Sequence, residues 1–393
     1  MKQWKSGAVT LACEELREHI KGKRIALMMN TSAVDNNGRL LLDVIVRERW
    51  AEVAFFFGME HGVRGNLYAN DGNLETVDAK TGVRIVNLYD YPGLRPPVEF
   101  VEQVDAVVFC AQDIGIRHWT YTPWMMSLMD AAAKADREVI VLDRPNPIRG
   151  DIVEGAPGEK YVGVGLLSGF SYPLRHGMTI GELALMYNDV NCVGAKLTVL
   201  KMRGWKRDMW FEETGLPWLP PSPNMPAVDT ALYFGATGLL QASNLSLGLK
   251  TATPFQYIGH PELDGEVLAD ALNSRELEGI YFVPKYYMAS VPKLGEHGGE
   301  LLLCDGIMMV IHDRNQWRPV KTQLTIIETL LQLYPDIVNL ENTSARIRMC
   351  TDEICDRFRS HESLMPVMDA WERGAEEFKK QRAPYLLYGT GNT

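Results

Sequence analysis

The chain alternates between short, almost uninterrupted apolar runs and longer stretches whose apolar residues recur at helical spacing. Arg24–Asn30, Val53–Phe57, Val83–Leu88, Ala106–Ala111 and Glu138–Leu142 are the apolar runs of the first half. Runs of this length read as strands buried on both faces. Between them, residues 11–22, Arg39–Arg49 and Trp124–Ala135 carry helical patterns. In the second of these, Leu41, Val44 and Ile45 oppose Asp43, Arg47 and Glu48. Strand–helix alternation predicts an α/β fold with a doubly wound, mostly parallel sheet.

The pattern changes near residue 150, where Gly, Pro and Trp become frequent and turns dominate to residue 226. Thr179 and Glu182 form a capping-box pair ahead of a helix over Ile180–Asn188, which gives Glu182 a structural role. Lys196–Met202 reads as a strand. Pro217–Pro226 holds five prolines and predicts a rigid, extended segment. Helices over Asp229–Gln241, 264–273, 319–334 and 363–380, with strands over 280–288 and 300–311, predict a smaller α+β domain. The expected division is 1–190 and 191–393.

Composition narrows the function. The chain has 393 residues, 46% of them hydrophobic, enough for two cores. A net charge of −10 without a basic run argues against nucleic acid as a partner. No apolar stretch reaches membrane-spanning length. The N-terminus lacks the apolar segment of a signal peptide, and the six cysteines are scattered without a CxxC pair. Free thiols in a reducing, cytoplasmic setting are the expectation, with export possible if a leader has been removed. No GxGxxG follows the first strand, and Gly163–Gly169 fits neither a P-loop nor a dinucleotide fingerprint, so no cofactor is expected.

Polar residues gather where the apolar strands end, which in parallel sheets is where ligands bind. The ends are Asn30-Thr31-Ser32, Glu60-His61 with Arg64, Gln112-Asp113 with Arg117, and Asp143-Arg144-Pro145-Asn146. Glu60, backed by Phe55–Phe57, is the first candidate acid/base; its structural alternative is a cap or an ion pair with Arg64. Asp113 and Asp143 are candidate second carboxylates, or else braces paired with Arg117 and Arg144. His61 and His176 with the two aspartates have no spacing that defines a metal site, and no GxSxG elbow is present. Cys110 sits inside an apolar strand and reads as core. Trp119, Tyr121, Trp124, Trp205, Trp210 and Trp218 could stack on sugar rings, although packing is the commoner use of such residues.

Phe57-Gly58-Met59-Glu60-His61-Gly62-Val63-Arg64-Gly65 resembles the FGPEHGxRG motif of the NamZ-type exo-β-N-acetylmuramidases. Further segments match in order: Gln112–Gly115 with Arg117 and Tyr121, Asp143–Ile148, Arg175–Thr179, Trp210-Phe211, Thr214–Trp218, Pro220–Pro226 and Ala383–Tyr388. The likeness spans roughly residues 22–388. It implies a Rossmann-like N-terminal domain, a smaller α+β domain, and release of terminal β-linked N-acetylmuramic acid from the non-reducing end of peptidoglycan fragments. It also implies that Glu60 is the acid/base. Arg64, Arg117, Arg144 and Arg175 become candidates for the lactyl carboxylate. His61, Tyr121, Asn146, His176, Asn224 and Asn244 become candidates for other substrate contacts.

Two departures accompany the likeness. Met59 stands where the family has proline. The family's N-x-S-E-G-R-G-T reads here Asn244–Thr251, with Leu247 for the glutamate and Leu249 for the arginine. Glu300 joins Asp113 and Asp143 as a possible replacement carboxylate. The loss opens a second expectation, a muramyl-sugar-binding protein without turnover, beside a hydrolase of a related amino sugar. A metal-dependent hydrolase, sensitive to chelation, is a third.

Overall fold

A computed structural model describes residues 9–65, 76–158, 170–292, 299–340, 345–346, 348 and 351–391. The Gly163–Gly169 run lies outside these residues. Six parallel strands form the first sheet: β1 (Arg24–Met29), β2 (Glu52–Gly58), β3 (Ile85–Asn87), β4 (Ala106–Cys110), β5 (Glu138–Leu142) and β6 (Lys196–Leu200). Their order is β3-β2-β1-β4-β5-β6. Alternate residues of each strand feed two separate cores. Ile25, Leu27, Phe56, Val108 and Ile140 face one, and Ala26, Met28, Phe57, Phe109 and Val141 the other. This two-sided burial is why the strands are apolar throughout.

Helices α1 (Cys13–Ile20) and α2 (Leu41–Arg47) cover the first side. After the short α3 (Val98–Val101), α4 (Tyr121–Lys134) and α5 (Ile180–Val190) cover the second. The expected Thr179–Glu182 capping box is present at the start of α5. β6 lies beyond residue 190 and completes this sheet by pairing with β5.

The second region is built on α6 (Asp229–Thr237), β7 (Tyr257–His260), α7 (Gly265–Asn273), β8 (Ile280–Pro284), β9 (Tyr287–Pro292), β10 (Gly299–Ile311) and α8 (Pro319–Leu333). β10 pairs antiparallel with β7, β8 and β9. β8 and β9 were expected as one strand. They share one register against β10, as Pro284↔Ile307 and Tyr287↔Cys304 demonstrate, and part only at Lys285 and Tyr286. β7 is too short to stand out in the sequence. Helices α9 (Glu353–Arg359) and α10 (Met365–Arg382) follow. Among the described residues, no helix is long and apolar enough to cross a membrane.

After α10 the chain returns to the first sheet. Leu387 N–H donates to Glu182 at 2.8 Å, Tyr388 O–H to Asp143 at 2.6 Å, and Arg207 N–H to the Gly389 carbonyl at 2.9 Å. Cys13, Cys110, Cys304 and Cys355 are buried and Cys192 is exposed, all as free thiols.

Candidate active site

The strand order reverses between β1 and β4, and their carboxyl ends are where a sheet of this kind places a ligand crevice. Its floor is tied together by short polar bonds. Gln112 N–H donates to Ser32 Oγ at 2.9 Å, joining the two strand ends. Asn30 Nδ2 and Tyr121 O–H both donate to the Pro221 carbonyl, at 3.2 and 2.6 Å. The extended proline segment is thereby laid across this edge. Burial pushes the Tyr121 phenol well above its ordinary range, so it remains a donor.

Glu60 stands beside this crevice because of its neighbours. Met59 is buried in one core and Val63 in the other, so the loop is nailed at two points and Glu60 is left half-buried between them. His61 (φ 70°) and Gly62 (φ 71°) turn the chain, and the left-handed geometry is an unusual one for a histidine. Gly65 packs on the first strand end; a Cβ there would lie 2.6 Å from Thr31 Cγ2.

Thr120 Oγ1 donates to Glu60 Oε2 at 2.5 Å. Thr120 precedes α4 but caps none of its amides. The Tyr89 phenol is raised first by burial and then by the Glu60 charge. His118 Nε2 lies 2.6 Å from the Arg348 carbonyl, which can only accept, so that nitrogen carries the proton. Burial, then Arg117 and Arg348, keep this imidazole neutral. None of Thr120, Tyr89, His118 and Arg348 was singled out from the sequence. Thr120 adjoins Tyr121 and was within reach of inspection. Arg348 lies in the far half of the chain and had no local signal.

The other expected residues have well-defined surroundings. Arg64 makes a bidentate pair with Asp78, at 2.8 and 2.7 Å, and reaches Asp43 at 2.9 Å. Burial works to raise the Asp78 carboxyl, but Arg64 and Thr81 outweigh it and hold it down at about 2. Asp113, 4% exposed, accepts from Gly115 N–H at 2.6 Å and lies 3.2 Å from His176 Nε2. Asp143 has no exposed surface and accepts from Arg144 N–H, Gly181 N–H, Thr179 and Tyr388. Its burial raises the carboxyl to about 6, against the pull of the Tyr388 hydrogen bond.

Arg144 reaches Gln112 at 3.2 Å, and Arg117 donates to the Tyr172 carbonyl at 2.7 Å. Arg175, fully buried, pairs with Glu154 at 2.6 Å. Asn146 bridges Met178 and Ile148. Asn224 is half-buried and accepts from Lys250 N–H at 3.3 Å. Asn244 clamps Ile337 and Asn339 at 2.8 and 3.0 Å. Glu300 is exposed on β10. Among the six aromatics, Trp218 alone is half-buried; the rest are core.

Residues 25–229 match the N-terminal domain of exo-β-N-acetylmuramidase NamZ, and residues 232–388 match its C-terminal domain. The chain belongs to the NamZ family. It is 36% identical to the peptidoglycan β-N-acetylmuramidase NamZ of Bacillus subtilis (strain 168) over 377 residues, which is 95% of this chain and 89% of that one. Two crystal structures of DUF1343 family proteins from Bacteroides fragilis share the fold. One has a TM-score of 0.86 at 32% identity, covering 97% of this chain and 99% of that one. The other has a TM-score of 0.74 at 28% identity, covering 98% and 99%. Within this NamZ-family chain, Met59 and Leu247 are both buried in the main core, and Leu249 packs against it.

Proposed function

We propose that this protein is an exo-acting β-N-acetylmuramidase, releasing terminal N-acetylmuramic acid from the non-reducing end of peptidoglycan fragments. The observation that carries the reading is Glu60. It is a half-buried carboxyl at a strand end, fixed by Thr120, in a chain that belongs to the NamZ family.

Glu60 is the general acid. It gives its proton to the glycosidic oxygen as the bond to the anomeric carbon breaks; water then adds at that carbon as hydroxyl, and the proton it loses returns to the Glu60 carboxylate and restores the acid. Thr120 fixes the carboxyl through Oε2. Asp113 and Asp143 are too enclosed to meet a sugar, and they hold the crevice floor instead. Trp218 and Asn224, half-buried, are the aromatic and amide surfaces offered to a sugar ring and its acetamido group.

Leu247 and Leu249 do not remove turnover in this reading. Leu247 is 3% exposed and both leucines pack with core residues, so apolar packing stands where the family has a glutamate and an arginine. The test is incubation with an N-acetylmuramyl-β-1,4-N-acetylglucosamine disaccharide. Both free sugars are expected. Thermal stabilisation by the disaccharide without product would overturn the reading in favour of a binding protein.

A further inference from the structure

We propose that Arg348 reads the lactyl carboxylate, the group that distinguishes N-acetylmuramic acid from N-acetylglucosamine, and so sets the specificity of the Glu60 site. This rests on the muramidase reading above.

Four arginines were the sequence candidates for that carboxylate, and each has other work. Arg64 is neutralised by Asp78 and Asp43. Arg175 is fully buried on Glu154. Arg144, 3% exposed, is turned to Gln112 and the Val34 carbonyl. Arg117, 4% exposed, serves the Ala156 and Tyr172 carbonyls.

Arg348 differs in position and in exposure. Its carbonyl is held by His118, two residues before the threonine that holds Glu60. Its backbone is therefore pinned to the loop that orients the acid. Its side chain is half-buried, and Nη1 donates to a neutral group, Gln241 Oε1 at 3.1 Å. Its Nε is shut off from solvent without a hydrogen-bond partner. Among the described residues, no carboxylate lies within ion-pair distance of it. Burial lowers its affinity for the proton, and Glu60 is the charge that offsets this.

A guanidinium that is partly desolvated and has no carboxylate in direct contact is costly to the folded protein alone, and the more distant Glu60 offsets only part of that cost. A carboxylate arriving on the substrate removes that cost, and a planar guanidinium binds it through two parallel N–H donors. The neutral His118 beside it adds no competing cation. N-acetylglucosamine has no lactyl group and leaves Arg348 as it is in the free protein. The acid and the specificity residue thus come from opposite ends of the chain and meet at the 118–120 loop.

The experiment compares three chromogenic substrates: the β-N-acetylmuramic-acid glycoside, its lactyl methyl ester, and the β-N-acetylglucosamine glycoside. Wild type is expected to prefer the free acid over the ester. Arg348→Met is expected to lose about 10–100-fold in kcat/KM on the free acid, chiefly through KM, and to be unchanged on the other two. Arg348→Lys keeps the charge without the fork and is expected to fall between. It also guards against a methionine variant that fails to fold. Equal loss on all three substrates would overturn the inference and make Arg348 a support for Gln241 and His118. A wild type that cleaves the acid and the ester equally would overturn it while leaving the muramidase reading intact. A wild type inactive on all three would overturn both.

Discussion

Thr120 donates its hydroxyl hydrogen to Oε2 of Glu60 across 2.5 Å, linking the end of β2 to the start of α4. A hydrogen bond to a carboxyl at the reacting centre fixes which oxygen faces the substrate. Thr120→Val retains the shape and removes the donor. We expect kcat to fall by up to roughly tenfold, the range for losing a hydrogen bond to a neutral group. Thr120→Ser should recover most of it, and circular dichroism should find all three folds alike.

The loop that carries Glu60 is braced from its far end by Arg64 on Asp78. The folded state holds the Asp78 carboxyl at about 2, below its ordinary value. Its contribution to stability is therefore complete above about pH 4 and is lost as pH falls toward 2. In Asp78→Asn the decline in melting temperature across that window should be shallower, from a lower starting point, in thermal melts at stepped pH.

Asp143 titrates in the opposite sense. Its folded value of about 6 lies above the unfolded one, so between pH 4 and 6 the folded state keeps a proton that the unfolded chain has lost. Stability contributed by this group is full below pH 4 and falls as pH rises through 6, by about 3 kcal/mol as an order of magnitude. Asp143→Asn should flatten that slope. Tyr388→Phe, which frees the returning tail from Asp143, should cost about 1 kcal/mol by chemical denaturation.

Arg175 and Glu154 form a buried pair, with Glu154 also accepting from Val320 N–H at 3.1 Å. Arg175→Met strands the glutamate inside. The expected loss is about 3–5 kcal/mol of stability, with the ratio of muramyl to glucosaminyl activity unchanged in the folded fraction.

Much of the sheet was legible because burial on both faces forces apolar runs. Ile25 and Ala26 enter different cores, so neither position tolerates a polar residue. Glu60 was legible for a related reason: a charged residue directly after such a run stands at the ligand-binding edge. The charges of Asp113, Asp143 and Arg144 were read as candidate chemistry on the same rule, and that of Arg175 through the family resemblance. Their partners, His176, Tyr388, Gln112 and Glu154, are distant in sequence, and only the fold shows that they occupy those side chains. Arg348 was hidden because what marks it, a half-buried guanidinium whose backbone is tied to His118 beside the Glu60 loop, exists only in the fold.

The most direct test of the account is the rate of chromophore release from a β-N-acetylmuramic-acid glycoside by wild type and by Glu60→Gln. Glutamine keeps the size of the side chain and an oxygen for Thr120 but has no proton to give. The account predicts a fall in kcat of about 10²–10⁴-fold with the fold intact. Equal rates would contradict it and remove Glu60 from the mechanism.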